Sequence, residues 1–561
     1  MPPKSACILP SYLLLFLLPV CRAQQPVPSA EAAGYQSITE TDLKANLAFL
    51  ASDALQGRLS LQPGDDAAAQ WVASEFAKAG LQPPAAGSFL QPVPLIEFRA
   101  DRARSFVSLT RSGHSISWKF PEAYGSFPRD VTVTAPVVFA GFGITAPELQ
   151  YDDYRGLDTH GKIVLLFDHE PQENDPQSIF NGTGNTRFAT TRVKVLNAQA
   201  HGALGVLIVA EPNRHHPSNQ ERMARIGGTT TRAVPLATQA LAEDDLQIPS
   251  AIISDAIAKE LLAGAGVSPS ELQASIDRDL KPQSRALPDT EITLHFTNQS
   301  TRAGTAYNAV ALLPGSDLQL SAETILISAH HDHDGMSLDQ IWHGADDNGS
   351  GTVGVVELAH AFAANPIKPK RSILFVVFAA EERGLLGAFY MAAHPLRPLP
   401  TTRAMLNFDM IGRDEAASDQ TKGLIEIPSD TTNRLNLIGA TYSPDYNRVV
   451  QEENRRVGLT LDYRFDHESA LNVFFRSDQF PFVLHNIPAV WWFTGFHPDY
   501  HHVTDTADRI DYRKMAKILR LAYLSAWQFA DALNPPAFVE NPGGPQSSRE
   551  NETLHEPRRN P

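Results

Sequence analysis

The chain has 561 residues, 43% of them hydrophobic and 20% charged, so it is long enough for two or three domains and too apolar to be disordered throughout. Its formal net charge of −16 offers no basic face for a phosphate backbone, which excludes nucleic acid as an expected partner.

At the amino end, Lys4 precedes an apolar run from Ile8 to Val20 and then Cys21-Arg22-Ala23. This is the pattern of a secretory signal, too short to anchor the chain across a bilayer. Cleavage is expected after Ala23, giving a secreted or periplasmic protein. Anchoring as a lipoprotein through Cys21 is the less favoured reading, since Val20 is a poor residue to precede the modified cysteine. Cys7 and Cys21 are the only cysteines, so the mature chain is expected to have no disulfide and no thiolate metal site. No later apolar stretch approaches membrane length.

Next come two predicted helices. Thr39 or Thr41 can cap the first, with Leu43, Leu47 and Leu50 as its apolar stripe; Trp71, Val72, Phe76 and Ala79 mark the second, which Gly80 ends. From Phe106 to about Leu287 the pattern becomes short strands and turns, among them GKIVLLF and GALGVLIVA. His215 and His216 in this stretch are expected on an exposed loop, and His360 on a helix surface; none is assigned to metal. From Asn308 onward, strands (NAVALLP, TILISAH, RSILFVVFA, AMLNFDM, AVWWFTG) alternate with helices. This is the pattern of an α/β fold with a mixed, mostly parallel sheet flanked by helices on both faces. A last helix is expected from roughly Tyr512 to Leu533, with Met515, Ile518, Leu519, Ala522, Ala526 and Phe529 buried. The Pro-, Asn- and Glu-rich tail, 535–561, has too little apolar surface to order itself.

Five metal-binding side chains recur through the second half: His330 in SAHHDH, Asp346 in GADDNGSG, Glu382 in FAAEERG, Asp409 in NFDMIG and His501 in DYHHVTDT. Four of them stand at or just past the end of an apolar run, where ligand sites form in open α/β sheets. Two imidazoles and three carboxylates suit a pair of zinc ions with one carboxylate bridging. Asp332, two residues past His330, can share its face of the strand and orient the imidazole. An aspartate closing an apolar strand, as Asp409 does, needs a partner for its charge.

These motifs resemble the M28 family of co-catalytic zinc peptidases. LAFLASDALQGR near the amino end, RSDQFPF before the last sheet strand and TDTADRID after His501 are similar to that family as well. The stretch holding YDDYRGLDTHGKIVLL and AHGALGVLIV resembles a mainly-β protease-associated (PA) domain inserted in the peptidase. The resemblance implies the zinc-dependent exopeptidase fold and the following division: signal peptide 1–23, first part of the peptidase domain 24–125, PA-like insert 126–288, two-zinc peptidase domain 289–534, tail 535–561. It implies two zinc ions per chain and peptide substrates, most simply an aminopeptidase. His330 and Asp409 would hold one ion and Glu382 and His501 the other, with Asp346 as the bridge, Glu381 as general base and Tyr500 as a donor to the oxyanion. A glutamate-carboxypeptidase-like enzyme shares these ligands but usually adds a long helical carboxyl-terminal domain. A glutaminyl cyclase uses a single zinc, and receptor-like scaffolds of this fold lose ligands that are all present here.

Overall fold

The computed structural model describes residues 26–539 except 85–86, 219–220, 222–231 and 244–245. The expected signal segment, both cysteines and most of the carboxyl-terminal tail lie outside the described residues.

Two large sheets organise the chain. In spatial order the nine-stranded sheet runs Thr238–Leu241, Leu90–Ala100, Asn298–Leu313, Ser372–Phe378, Thr324–His330, Thr402–Phe408, Ala489–Phe493, Arg434–Ile438 and Thr460–Asp462. The four central strands, from Ser372–Phe378 to Ala489–Phe493, are parallel, and the pairings on either side of them are antiparallel. Every residue of Thr324–His330 and Ser372–Phe378 is buried, the mark of strands covered on both faces. Alternation along Ser372–Phe378 assigns the covers. Ile373, Phe375 and Val377 join the core formed with helices Gly351–Ala364 and Tyr512–Asp531, whereas Leu374, Val376 and Phe378 pack with Ala388 and Met391 of helix Leu386–Ala393. The stripe expected on the last helix is buried throughout.

The amino-terminal helices reinforce the first of these cores. Thr39 caps helix Glu40–Leu50 by accepting a hydrogen bond from the Asp42 amide at 3.1 Å, and Leu43, Leu47 and Leu50 are fully buried. Helix Pro63–Lys78 ends near Gly80, whose φ of +75° is the left-handed turn that glycine adopts without strain.

The eight-stranded sheet is built from the chain between Leu90–Ala100 and Asn298–Leu313, which pair with each other in the larger sheet. Its middle strands Ile163–Phe167 and Gly205–Val209 are parallel neighbours, buried along their whole length. The same segment returns the strand Thr238–Leu241 to the edge of the larger sheet. His215 is exposed, whereas His216, expected beside it on the surface, is turned inward because two buried glutamates, Glu173 and Glu211, face its ring. Among the described residues, no helix is long and apolar enough to cross a membrane.

Candidate metal centre

The four central parallel strands end on one rim of the sheet, and the chemistry-bearing residues follow from those ends. His330 is the last residue of its strand, Asp409 follows Thr402–Phe408 directly, and Glu381 and Glu382 lie in the turn after Ser372–Phe378. His501 sits in the loop beyond Ala489–Phe493 with a φ of +57°. Their polar atoms converge. His330 Nε2 is 3.6 Å from Asp409 Oδ1 and 3.6 Å from Glu381 Oε2, while His501 Nε2 is 3.4 Å from Glu382 Oε2.

Between the two histidines stands Asp347, not Asp346. Asp347 Oδ1 lies 3.7 Å from His330 Nε2, and its Oδ2 lies 3.1 Å from His501 Nε2. Asp346 is turned the other way, its Oδ1 accepting from the Gly412 amide at 2.7 Å and its Oδ2 lying 3.2 Å from His497 Nε2. The cause is the local backbone. Gly344 enters the turn at φ +54°, Asp347 and Asn348 leave helical geometry, and the buried Asp505 carboxylate grips the amides of both Asp346 and Asp347. Pinned at both amides, the turn can send only one of the two carboxylates toward the strand ends. Asp346 therefore loses the bridging position expected of it.

Asp332 also differs from expectation. The strand stops at His330, so the alternation that would have aligned the two side chains ends there. His330 Nδ1 is nearer the Asp332 carbonyl oxygen (3.2 Å) than its carboxylate (3.7 Å). That carboxylate instead accepts from the Glu381 amide at 2.9 Å and the Glu382 amide at 3.2 Å, fixing the turn that carries both glutamates. Other groups hold the remaining donors. Ser477 donates to Asp409 Oδ2 at 2.7 Å, and Asp334 faces His501 Nδ1 at 3.0 Å while accepting from Arg383. Arg58, from the LQGR stretch, is fully buried and donates to the carbonyls of Leu50, His331, His343 and Gly344. It ties the amino-terminal segment to both loops that carry donors.

Burial sets the electrostatics. It raises the Glu381 carboxyl well above its ordinary range, helped by the neighbouring Asp409 and opposed by His330. Burial and the charge of Glu382 push Asp347 up to about 6. Glu382 resists burial because His501 and His333 lie beside it, and is held down at about 2. Tyr500, raised by burial to about 12, keeps its proton; its hydroxyl is 3.2 Å from Arg476 and its ring packs on His501. A cavity of about 20 Å³, lined by Asp347, Glu381, Glu382, Asp409, Arg476 and Tyr500 among others, opens between these groups.

Four participants escaped the sequence reading: His333, 2.8 Å from Glu382 Oε1; Asp334; His497 behind Asp346; and Asp478, whose two buried oxygens have no hydrogen-bond partner among the described residues. The run HHDHD was the available signal for the first two. It reads as a surface cluster until the strand is known to end inside the fold.

The donor set fits divalent metal. His330, Asp347 and Asp409 offer atoms within 4.8 Å of one another, as do His333, Asp347 and Glu382, and Asp334, Glu382 and His501. His330 Nε2, Asp409 Oδ1 and His501 Nε2 are buried without a hydrogen-bond partner among the described residues, which is costly unless a cation is there to receive them. Residues 308–525 match the family model for peptidase family M28, and residues 133–261 match that for the PA domain. The chain carries an M28 peptidase domain with a PA domain set into it. Among curated relatives of this M28–PA chain, a probable zinc metalloprotease of Pyrenophora teres f. teres is 38% identical over 21% of the chain and 29% of the relative. Leucine aminopeptidase 2 of Arthroderma otae is 28% identical over 41% of the chain and 46% of the relative. The chain thus spans less than half the length of these relatives. A solved aminopeptidase from Aneurinibacillus sp. strain AM-1 aligns over 91% of this chain and 97% of its own, at 18% identity and a TM-score of 0.47.

Proposed function

We propose that the chain is an exported two-zinc metallopeptidase that removes residues from the amino ends of peptides. The observation that carries the two-ion reading is the division of Asp347, one oxygen toward His330 and Asp409, the other toward His501 and Glu382. His330 and Asp409 would hold one ion and Glu382 and His501 the other. Bound divalent ions supply Lewis-acid polarisation of a carbonyl and a lowered pKa for water. Glu381 takes the proton from the attacking water and returns it to the leaving amine, work that suits a carboxyl whose proton affinity is raised by burial. The Tyr500 hydroxyl, steadied by Arg476, donates to the oxygen on which charge develops. Asp332 acts by positioning the Glu381–Glu382 turn. Preference for amino ends rests on the relatives named leucine aminopeptidase, since fold and metal site do not fix a substrate.

A panel of aminoacyl chromogenic substrates beside peptides free only at the carboxyl end tests this, with chelation and zinc readdition. Cleavage from free amino ends, abolished by chelator and restored by zinc, is expected; cleavage from carboxyl ends alone would overturn the assignment. Glu381→Gln is expected to lower kcat by about 10²–10⁴-fold with metal content unchanged. Amino-terminal sequencing of the exported product should begin at Gln24.

A further inference from the structure

The inserted sheet holds a second group of metal-binding side chains, none of them shared with the peptidase centre. His169, Glu173, Glu211 and His216 offer ligand atoms that all lie within 4.8 Å of one another. The fold gathers them as it gathers the peptidase donors. His169 lies in the turn after the strand Ile163–Phe167, and Glu211 in the turn after its parallel neighbour Gly205–Val209, so both stand past carboxyl ends of adjacent strands. Glu173 and His216 come from the loops that continue from those turns.

The side chains of these four residues are all about 95% buried or more. His169 Nδ1 is 2.7 Å from Glu173 Oε1, and the two imidazoles stack with centroids 4.4 Å apart. His216 decides the reading. Its Nδ1 lies 2.9 Å from the Pro217 carbonyl oxygen, which can only accept, so Nδ1 carries a hydrogen. In the neutral ring Nε2 then presents a lone pair, the tautomer in which histidine binds metal while its other nitrogen donates to a carbonyl. That atom faces carboxylate oxygens on two sides, Glu173 Oε2 and, at 3.0 Å, Glu211 Oε1. Glu211 Oε1 accepts no hydrogen bond of proper geometry among the described residues. A proton on Nε2 answers one of the two carboxylates; a divalent cation answers both.

We propose that His169, Glu173, Glu211 and His216 form a zinc-type metal site in the PA domain, separate from the peptidase centre. Two imidazoles and two carboxylates are a donor set that zinc accepts in tetrahedral coordination. A cleft of about 300 Å³ lined by Glu173, Arg214, Gln273 and Asp277, among others, gives the ion a way in. The ion would clip together the loops that follow two neighbouring strands, a structural role that leaves hydrolysis to the other centre.

The test uses the full chain, stripped with chelator, reloaded with zinc, desalted and assayed for metal. The double variant Glu211→Gln/His216→Gln is expected to hold about one equivalent less zinc than the unsubstituted chain while hydrolysis is unchanged. A chain with its peptidase centre disabled (His330→Gln, Asp409→Asn, His501→Gln) is expected to retain about one equivalent and to lose it when Glu211→Gln is added. In that disabled chain zinc should also raise Tm, which covers the case of a double variant that does not fold. Equal zinc in the unsubstituted chain and the Glu211→Gln/His216→Gln variant, or no zinc and no Tm shift in the disabled chain, would overturn the site in favour of a protonated His216.

Discussion

The peptidase centre and the PA-domain cluster stand in the same place in their respective sheets, past the carboxyl ends of parallel strands, but they are supported differently. At the peptidase centre other side chains fix most of the donors: Asp334 faces His501, Ser477 donates to Asp409, and Asp505 holds the turn that aims Asp347, while His330 is set by the main-chain carbonyl of Asp332. In the PA domain His216 is oriented by the main-chain carbonyl next to it. Buried polar support has to be fully satisfied, and it is found where ligand geometry must be set closely. Parallel strands gather donors readily; the layer behind them separates a centre fit for catalysis from one that holds an ion.

The sharpest way to break this contrast is at the shared carboxylate. Asp347→Asn is expected to reduce hydrolysis by about 10³-fold or more and to lower zinc content. Asp346→Asn keeps an oxygen for the Gly412 amide and loses about tenfold. Steady-state rates and metal content of the two variants, side by side, check the order. The reverse order would return the bridge to Asp346.

That pair also marks how far the sequence can be read. The alternation of apolar strands with helices was legible because each strand is covered on both faces, and His330, Glu382, Asp409 and His501 were legible because they follow the ends of those strands. Neighbouring carboxylates in a non-helical turn were not, since the choice between Asp346 and Asp347 is made by Asp505, more than 150 residues away. The PA cluster was hidden for a related reason. His169 and Glu211 become neighbours only when two strands pair, and nothing in DHEPQEN or AEPNRHH announces the other.

Arg58 extends the contrast into stability. Its guanidinium serves four carbonyls in three segments, and Arg58→Ala removes these largely buried hydrogen bonds at a cost of on the order of 3 kcal/mol or more. Arg58→Lys should not rescue the loss, because an ammonium cannot replace the planar fork. Denaturant unfolding followed by tryptophan fluorescence measures both. Asp334→Asn is milder: His501 loses a charged partner on Nδ1, and zinc affinity should fall about 10–100-fold in competition with a chelator. The PA-domain site, which shares no residue with the peptidase centre, should be indifferent to it.

The effect on hydrolysis is smallest at a buried carboxylate that holds no metal. Glu357, on the helix that follows the Asp346–Ser350 turn, accepts from the Thr39 amide at 3.0 Å, and burial raises it to about 7 from an ordinary 4.5. The folded state therefore holds this proton more tightly than the unfolded chain. The stability it confers is complete below about pH 4.5 and is lost as pH rises through about 7, a change on the order of 3 kcal/mol. In Glu357→Gln, neutral at every pH and still able to accept from Thr39, that slope should vanish, so the variant gains on the unsubstituted chain between pH 5 and pH 8. Any pH dependence left in the variant that responds to zinc then belongs to the metal-binding carboxylates. A variant that keeps the full slope would show that the titration arises elsewhere.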